Sequence, residues 1–485
     1  MVQWEYYRYS CFADQDKKAM QKAAQELYEY FQALSPQQLL RFREDFCRTT
    51  SMEWSVDWNQ VIPPIHKGID DESLFAVLVA GTFHPNGYYR ERCLVALEAY
   101  GGRALPFALL LVNNWVAEIR DKAFAISKRL YGQATTRQVL DSLWFLEYIR
   151  QGRRRSDQIW QQLYHAAKLR IIQMTETLSP SDILKETVFT RRLYYKMLAE
   201  GGTLDDGMAL TLLKREKDVF NKIKLADYLL ELEPISDEVV AALLKNKVGA
   251  IRLAALHKKE KQANGLWLGA EEFLFDSNRS VREFTVYLCH KYRGADPVML
   301  YRQRIAIDPH PGVIAGLGET GSQEDAALVM PFLKSEQPAV LKAAITAIAS
   351  LLNQDATDIL YRFIQHPHGG KTVFRLMLKM KIRIPCRRLY LDYLSSDSEI
   401  LHQRIFRLIC TGSNWDKAPW LIRLYNSLPS ELLPIAWDQL LYWQVGYMKP
   451  TYSERKAVED ALHDTVSLPK KLRQSIEFSL KTASY

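Results

Sequence analysis

One pattern returns about every 30 residues, and it constrains this chain more than any other feature. Ile119-Arg120-Asp121-Lys122-Ala123 and Ile251-Arg252-Leu253-Ala254-Ala255 share a β-branched residue, then Arg, then a small residue three positions on. Val281-Arg282 fits as well, and Val340-Leu341 fits with Leu in place of Arg. Looser versions place the second residue at Arg90, Gln161, Phe189, Phe220, Ile314, Phe374, His402 and Leu433. We take that second residue as the marker of a unit.

The chemistry around the markers predicts what a unit is. Ile251, Ala254, Ala255 and Leu256 share one helical face, as do Val340, Ala343, Ala344 and Ile345. A second apolar segment lies between markers, as at 325–333 and 355–364, and turn signals such as Asp276-Ser277-Asn278 and Asp308-Pro309-His310-Pro311-Gly312 separate the two. A period of this size holds two helices of about twelve residues, each about 18 Å long. A lone helix pair cannot bury its apolar face, so neighbouring pairs stack around a continuous core. The expectation is an all-α fold: a right-handed α-solenoid of about a dozen two-helix repeats.

The segment Val313-Ile314-Ala315-Gly316-Leu317-Gly318-Glu319-Thr320-Gly321, with 326–333 and 338–352 after it, resembles the HEAT-like repeat family. The likeness is to the short bacterial repeat also found in phycobilin lyases, and it covers about residues 70–440. It implies a solenoid and leaves activity open, because such repeats serve scaffolds, nucleic-acid binders and a few enzymes. Residues 1–66 read as an N-terminal helical cap with helices near 15–34 and 35–48 and an aromatic segment from Trp54 to Trp58; 67–445 read as the solenoid, and 446–485 as a C-terminal cap of two helices.

Chemistry-bearing motifs are few. Gly316-Leu317-Gly318-Glu319-Thr320-Gly321 matches a dinucleotide fingerprint letter for letter, but no strand precedes it, and the glycines are expected in the turn between two repeats. His366-Pro367-His368 is the only close histidine pair, without acidic or thiol neighbours, and no His-Glu dipeptide occurs. Deoxyhypusine hydroxylase, a HEAT-like enzyme, holds its iron pair through such dipeptides, so that route is not expected here. No nucleophile elbow or P-loop appears, and Asp205-Asp206 and Glu271-Glu272 fit helix starts. The reading is therefore of no catalytic residues, no metal and no cofactor. Six separated cysteines without a CxxC pair, no apolar run of about 18 residues (the best are 74–83 and 104–112) and no leader at the N-terminus point to a reduced cytoplasmic protein away from membranes.

Charge sharpens this. The formal net charge is +8, and the window 359–391 contains no Asp or Glu. Arg362, Lys371, Arg375, Lys379, Lys381, Arg383, Arg387 and Arg388 lie in that window, so one repeat carries the whole excess and the rest of the chain is neutral. Lys371, Arg375 and Lys379 follow an i, i+4, i+8 spacing along one helix face. A smaller cluster is Arg150, Arg153, Arg154 and Arg155.

If the marker helices line the concave surface, the position five after each marker faces it. Those residues are Val95, Ala125, Ala166, Tyr194, Leu225, His257, Tyr287, Glu319, Thr346, Lys379, Arg407 and Asp438. A groove tracking a nucleic-acid backbone would be basic at most of these positions, and this ridge is basic only at Lys379 and Arg407. The expected function is a non-catalytic protein-interaction scaffold whose partner has an acidic surface. Its contact residues are Lys371, Arg375, Lys379, Arg383 and Arg407, with Tyr194, His257 and Tyr287 as aromatic anchors. The alternative is a nucleic-acid-binding HEAT-like protein, such as a repair glycosylase with Trp144, Trp160 or Trp267 beside a flipped base.

Overall fold

A computed structural model describes residues 6–13, 16–48, 56–150, 157–173, 178–441, 443, 450–465 and 467–482. Among them every regular element is helical. The chain forms two compact units, Met1–Ala255 and Leu256–Tyr485.

After a helical turn at Tyr6–Tyr9, unit 1 has α1 (Lys17–Gln32) and α2 (Pro36–Arg48), where the N-terminal reading placed helices. They do not form a separate body. Tyr9 donates from its hydroxyl to the Val77 carbonyl at 2.6 Å, and the Phe42 ring packs edge-on to Phe83. The first repeat, α3 (Asp71–Gly81) and α4 (Gly87–Leu97), therefore shares its core with the cap. There follow α5 (Leu105–Leu111), α6 (Ala117–Gln133), α7 (Thr136–Arg150), α8 (Asp157–Gln173), α9 (Val188–Glu200), α10 (Asp206–Arg215), α11 (Val219–Glu231) and α12 (Asp237–Leu244). The boundary between units falls within α13 (Gly249–Ala263). Trp58 is buried beneath the cap, whereas Trp54 lies outside the described residues.

Unit 2 continues with α14 (Arg279–Lys291), α15 (Pro297–Ile307), α16 (Pro311–Thr320), α17 (Pro338–Leu352), α18 (Gly370–Met380), α19 (Cys386–Leu394), α20 (Glu399–Ile409), α21 (Asn414–Leu424) and α22 (Leu433–Leu441). Two last helices, α23 (Tyr452–Asp464) and α24 (Lys470–Thr482), stand where the C-terminal cap was expected. They are tied to the last repeats by Arg423–Asp464 at 3.1 Å and by Ser475 Oγ donating to the Leu441 carbonyl at 3.2 Å. Several intervening segments are shorter than the twelve-residue helices expected, and at 270–275 only a 3-10 turn stands. The segment at 326–334 is one α-turn followed by a 3-10 turn, and at 357–361 a single short helix remains. Pro331 lacks an amide N–H and ends the first of these.

The marker has a structural meaning. Arg90, Arg120, Arg252 and Arg282 each fold back to donate to the carbonyl six residues earlier, at His84 (2.5 Å), Asn114 (3.2 Å), Asn246 (2.6 Å) and Asp276 (2.7 Å). The side chain at that same earlier position accepts the backbone N–H two residues on: Asn86 to His84, Val116 to Asn114, Val248 to Asn246 and Asn278 to Asp276. His402 reproduces this with its ring, Nε2 meeting the Ser396 carbonyl at 2.5 Å, while the Ser398 N–H donates to Ser396 Oγ. The corner between the two helices of a repeat is thus closed by one side chain. A polar head turned into a buried corner needs this partner, because leaving it unpaired costs about 1–3 kcal/mol.

Successive repeats are also tied by ion pairs one period apart. Arg103–Glu72 (2.7 Å), Arg129–Glu98 (2.5 Å), Lys168–Glu200 (3.2 Å), Lys291–Glu260 (2.7 Å) and Arg388–Asp358 (2.5 Å) join residues 30 to 32 apart, as Lys122–Glu91 also does. The period legible in the sequence is therefore a period of packing.

Two expectations need correction. Gly316 and Gly318 do not sit in a turn; both lie inside α16. A Cβ on Gly316 would stand 2.2 Å from the Tyr301 ring, and one on Gly318 would stand 2.4 Å from the Ala347 Cβ. These glycines let α16 press against α15 and α17, a packing demand that overrides their low helix propensity. The second correction concerns apolar runs. Gly87–Leu111 is long and apolar enough by length and composition to cross a membrane, and half of its most apolar 18-residue stretch is buried. It is not one straight helix, because Gly101 turns the backbone with φ 58° and ψ −140° between α4 and α5.

Candidate docking surface

The acid-free window folds into the end of one repeat and the start of the next. Val373 and Met377 anchor α18 in the core, so Lys371, Arg375 and Lys379 are all turned outward and exposed. Beyond α18, Ile382 and Ile384 are buried, which pins the connecting segment and exposes Lys381 and Arg383 between them. Arg387 is exposed on α19, and Arg407 is exposed on α20. The neighbouring helix is fixed to α18 by Arg404, which donates to the Ile364 carbonyl at 2.6 Å and lies over the backbone at Gly370.

Pairing is sparse on this surface. Arg388 is bound to Asp358 at 2.5 Å and covers the Tyr361 ring at 4.8 Å. Among the described residues the other seven cations of the window, Arg362, Lys371, Arg375, Lys379, Lys381, Arg383 and Arg387, take part in no ion pair, and neither does Arg407. Exposed apolar groups lie on the same three helices: Leu378 on α18, Leu391 and Leu394 on α19, and Ile400 on α20 at 64% exposure. Sequence reading overlooked these groups, though the exposed phase of each helix contains them. His366 and His368 do not converge on a shared point. His366 Nδ1 accepts the N–H groups of His368 and Gly369, closing the turn before α18.

The aromatic anchors divide. His257 and Tyr287, both in unit 2, are exposed, and the half-buried Phe284 packs against both. The His257 and Phe284 rings stand 3.8 Å apart, and Phe284 stacks on Tyr287 at 5.9 Å with 25° between planes. Lys291 extends this strip, 5.7 Å over Tyr287, while it pairs with Glu260. Phe284 was missed because no marker-based position selects it.

Tyr194, in unit 1, is a correction. It is buried at 4% exposure, and burial raises its phenol pKa to about 12. The cause is register. Each capping side chain stands four residues before its marker, as Asn86, Asn278 and Ser398 do before Arg90, Arg282 and His402. The caps Thr187 and Asp218 then set the true markers at Arg191 and Lys222, not at Phe189 and Phe220. A slip of two residues turns a helix by about 200°, which moves a position from surface to core. The properly phased position is Lys196, which is exposed.

Arg191 explains why this register was hard to see. It is buried and binds Glu216 through two contacts of 2.8 Å, and Glu216 also accepts the Tyr195 hydroxyl at 3.0 Å and the N–H groups of Lys217 and Asp218. Burial opposes the charged form of Glu216, but the Arg191 and backbone hydrogen bonds outweigh it and hold its carboxyl below the usual range.

Elsewhere in unit 1, a groove of about 480 Å³ is lined by Trp160, Phe189, Arg192 and Lys196 among others. Trp160 stacks on Tyr164, Trp144 stacks on Tyr148, and Arg192 lies between the Phe189 and Phe220 rings. Arg150 is consumed by Glu147, and Arg153, Arg154 and Arg155 lie outside the described residues. Asp205 caps α10 by accepting the Met208 N–H at 2.7 Å, and Glu271 and Glu272 open a 3-10 turn, as expected of acids at helix starts.

No family model matches the chain, and no curated protein matches it. Among solved structures it is similar to a Kap121p mutant, at 11% identity over 98% of this chain and 53% of that one, with a TM-score of 0.24. It is similar also to Kap121p bound to Pho4p, at 12% identity over 97% of this chain and 53% of that one, with a TM-score of 0.23. The chain spans about half the length of these structures. Its architecture rests on its own repeats: the chain is an all-α solenoid.

Proposed function

We propose that this protein is a non-catalytic, HEAT-like interaction scaffold that docks a protein partner with an acidic surface on α18–α20. One observation carries the reading: seven of the eight cations in the acid-free window 359–391 are exposed and take part in no ion pair among the described residues. Such a cluster repels itself across the solvent, and an acidic partner relieves that repulsion and steers association. The His257–Phe284–Tyr287 strip supplies a second contact in the same unit, with apolar area that surface charges lack. The five described cysteines are free, which supports a cytoplasmic setting.

Zero-length carbodiimide cross-linking in the native cell extract tests this. Lys371 and Lys379 are expected to join carboxylates of one recurrent protein partner, and Arg375→Glu with Lys379→Glu abolishes the product. Duplex or single-stranded DNA bound tightly, steeply weakened by salt and lost in the same variant would overturn the reading in favour of a nucleic-acid ligand.

A further inference from the structure

The geometry points to an acidic amphipathic helix as the element that the partner lays along α18. This inference rests on the docking reading above and specifies what docks there.

Lys371, Arg375 and Lys379 form a line along the axis of α18, with a rise of about 6 Å between successive cations. A helix carrying carboxylates at i, i+4 and i+8 repeats at the same rise, so three pairs fall into register at once. An extended strand repeats every second residue at about 6.8 Å and overshoots the third cation by about 1.6 Å. Direction gives the next constraint. The line runs along one helix, and the marker helices on either side contribute Lys342 from α17 and Arg407 from α20, one cation each in comparable positions. A ligand tracking across the repeats, as a nucleic-acid backbone would, meets only one cation on α17 and one on α20, and beyond them the exposed acids Glu319 on α16 and Glu283 on α14.

Affinity supplies the third constraint. Exposed ion pairs contribute only about 0–1 kcal/mol each, so a purely acidic ligand binds weakly. Leu378 is exposed beside the cation line, Phe374 is half-buried next to it, and Ile400 stands open on α20. An amphipathic helix meets both needs, with acids over the line and aliphatic side chains over the flank. Helix α18 provides a rigid template, since its other face is locked by Val373 and Met377 and its start is pinned by Arg404.

The test uses the full chain and synthetic peptides, read by fluorescence anisotropy at about 50 mM and about 150 mM salt. One peptide is helical, with glutamates at i, i+4 and i+8 and leucines beside them; a second has the same composition with its helix broken by two prolines. The helical peptide is expected to bind about ten-fold tighter than the broken one. Lys371→Glu, Arg375→Glu and Lys379→Glu together remove that binding, and a lysine version of the helical peptide restores it on the triple variant. The three side chains are exposed, so the variant's melting temperature stays at the wild-type value. Equal binding of both peptides, still lost in the triple variant, overturns the helical partner and leaves the docking reading standing. No binding of either peptide, or binding untouched by the triple variant, overturns both. Duplex DNA that outcompetes the helical peptide also overturns both.

Discussion

At the residue scale, the buried corner side chains set testable limits. Arg282 is 3% exposed; it closes its corner on the Asp276 carbonyl and grips Glu319 with contacts of 2.9 and 2.6 Å. Arg282→Ala leaves a carboxylate and a carbonyl without their donor, and should cost about 3 kcal/mol, measured by chemical denaturation. His84 holds the equivalent corner in the first repeat. Burial, with the nearby Arg90 charge as a second cause, lowers its pKa to about 3, so the folded protein keeps the ring neutral. The unfolded chain takes up that proton below about pH 6.5. Stability from this site is therefore full above pH 6.5, falls as pH drops towards 3, and is level below that. His84→Asn, which retains an acceptor for the Asn86 N–H, should flatten this slope in melting curves taken across that range. An unchanged slope would place the acid sensitivity elsewhere.

At the element scale, close helix approach decides what the glycines tolerate. Gly316→Ala drives a methyl into the Tyr301 ring and should destabilise by about 1–3 kcal/mol despite the better helix former. Gly132 lies in α6 with open space, nothing within 4 Å, where a Cβ would stand, so Gly132→Ala should stabilise by about 0.5–1 kcal/mol. Denaturant midpoints for the pair test whether packing or propensity governs each site. Legibility divides at this scale too. The repeat could be read because its corner demands a donor six residues after an acceptor, and Arg120, Arg252 and Arg282 leave that demand in linear order. It was misread at Phe189 and Phe220, where the corner is served by the buried Arg191–Glu216 pair across two repeats. The α18 stripe was legible because one helix face suffices to define it. Phe284 was not, since its value comes from the His257 ring that folding brings alongside.

At the scale of the whole molecule, the chain has two compact units with separate hydrophobic cores. Unfolding should accordingly depart from two-state behaviour, with a van't Hoff enthalpy below the calorimetric one. His84→Asn is expected to shift only the transition of unit 1, and Arg282→Ala only that of unit 2. A single transition moved equally by both variants would show the units to be one cooperative body. The corner latch bears on how such a chain is made. Each latch closes within seven residues, so both of its partners leave the ribosome together and it needs no contact distant in sequence. Synthesis then proceeds as a series of finished bends, each waiting only for its successor to cover it, and the period written in the sequence is also a schedule.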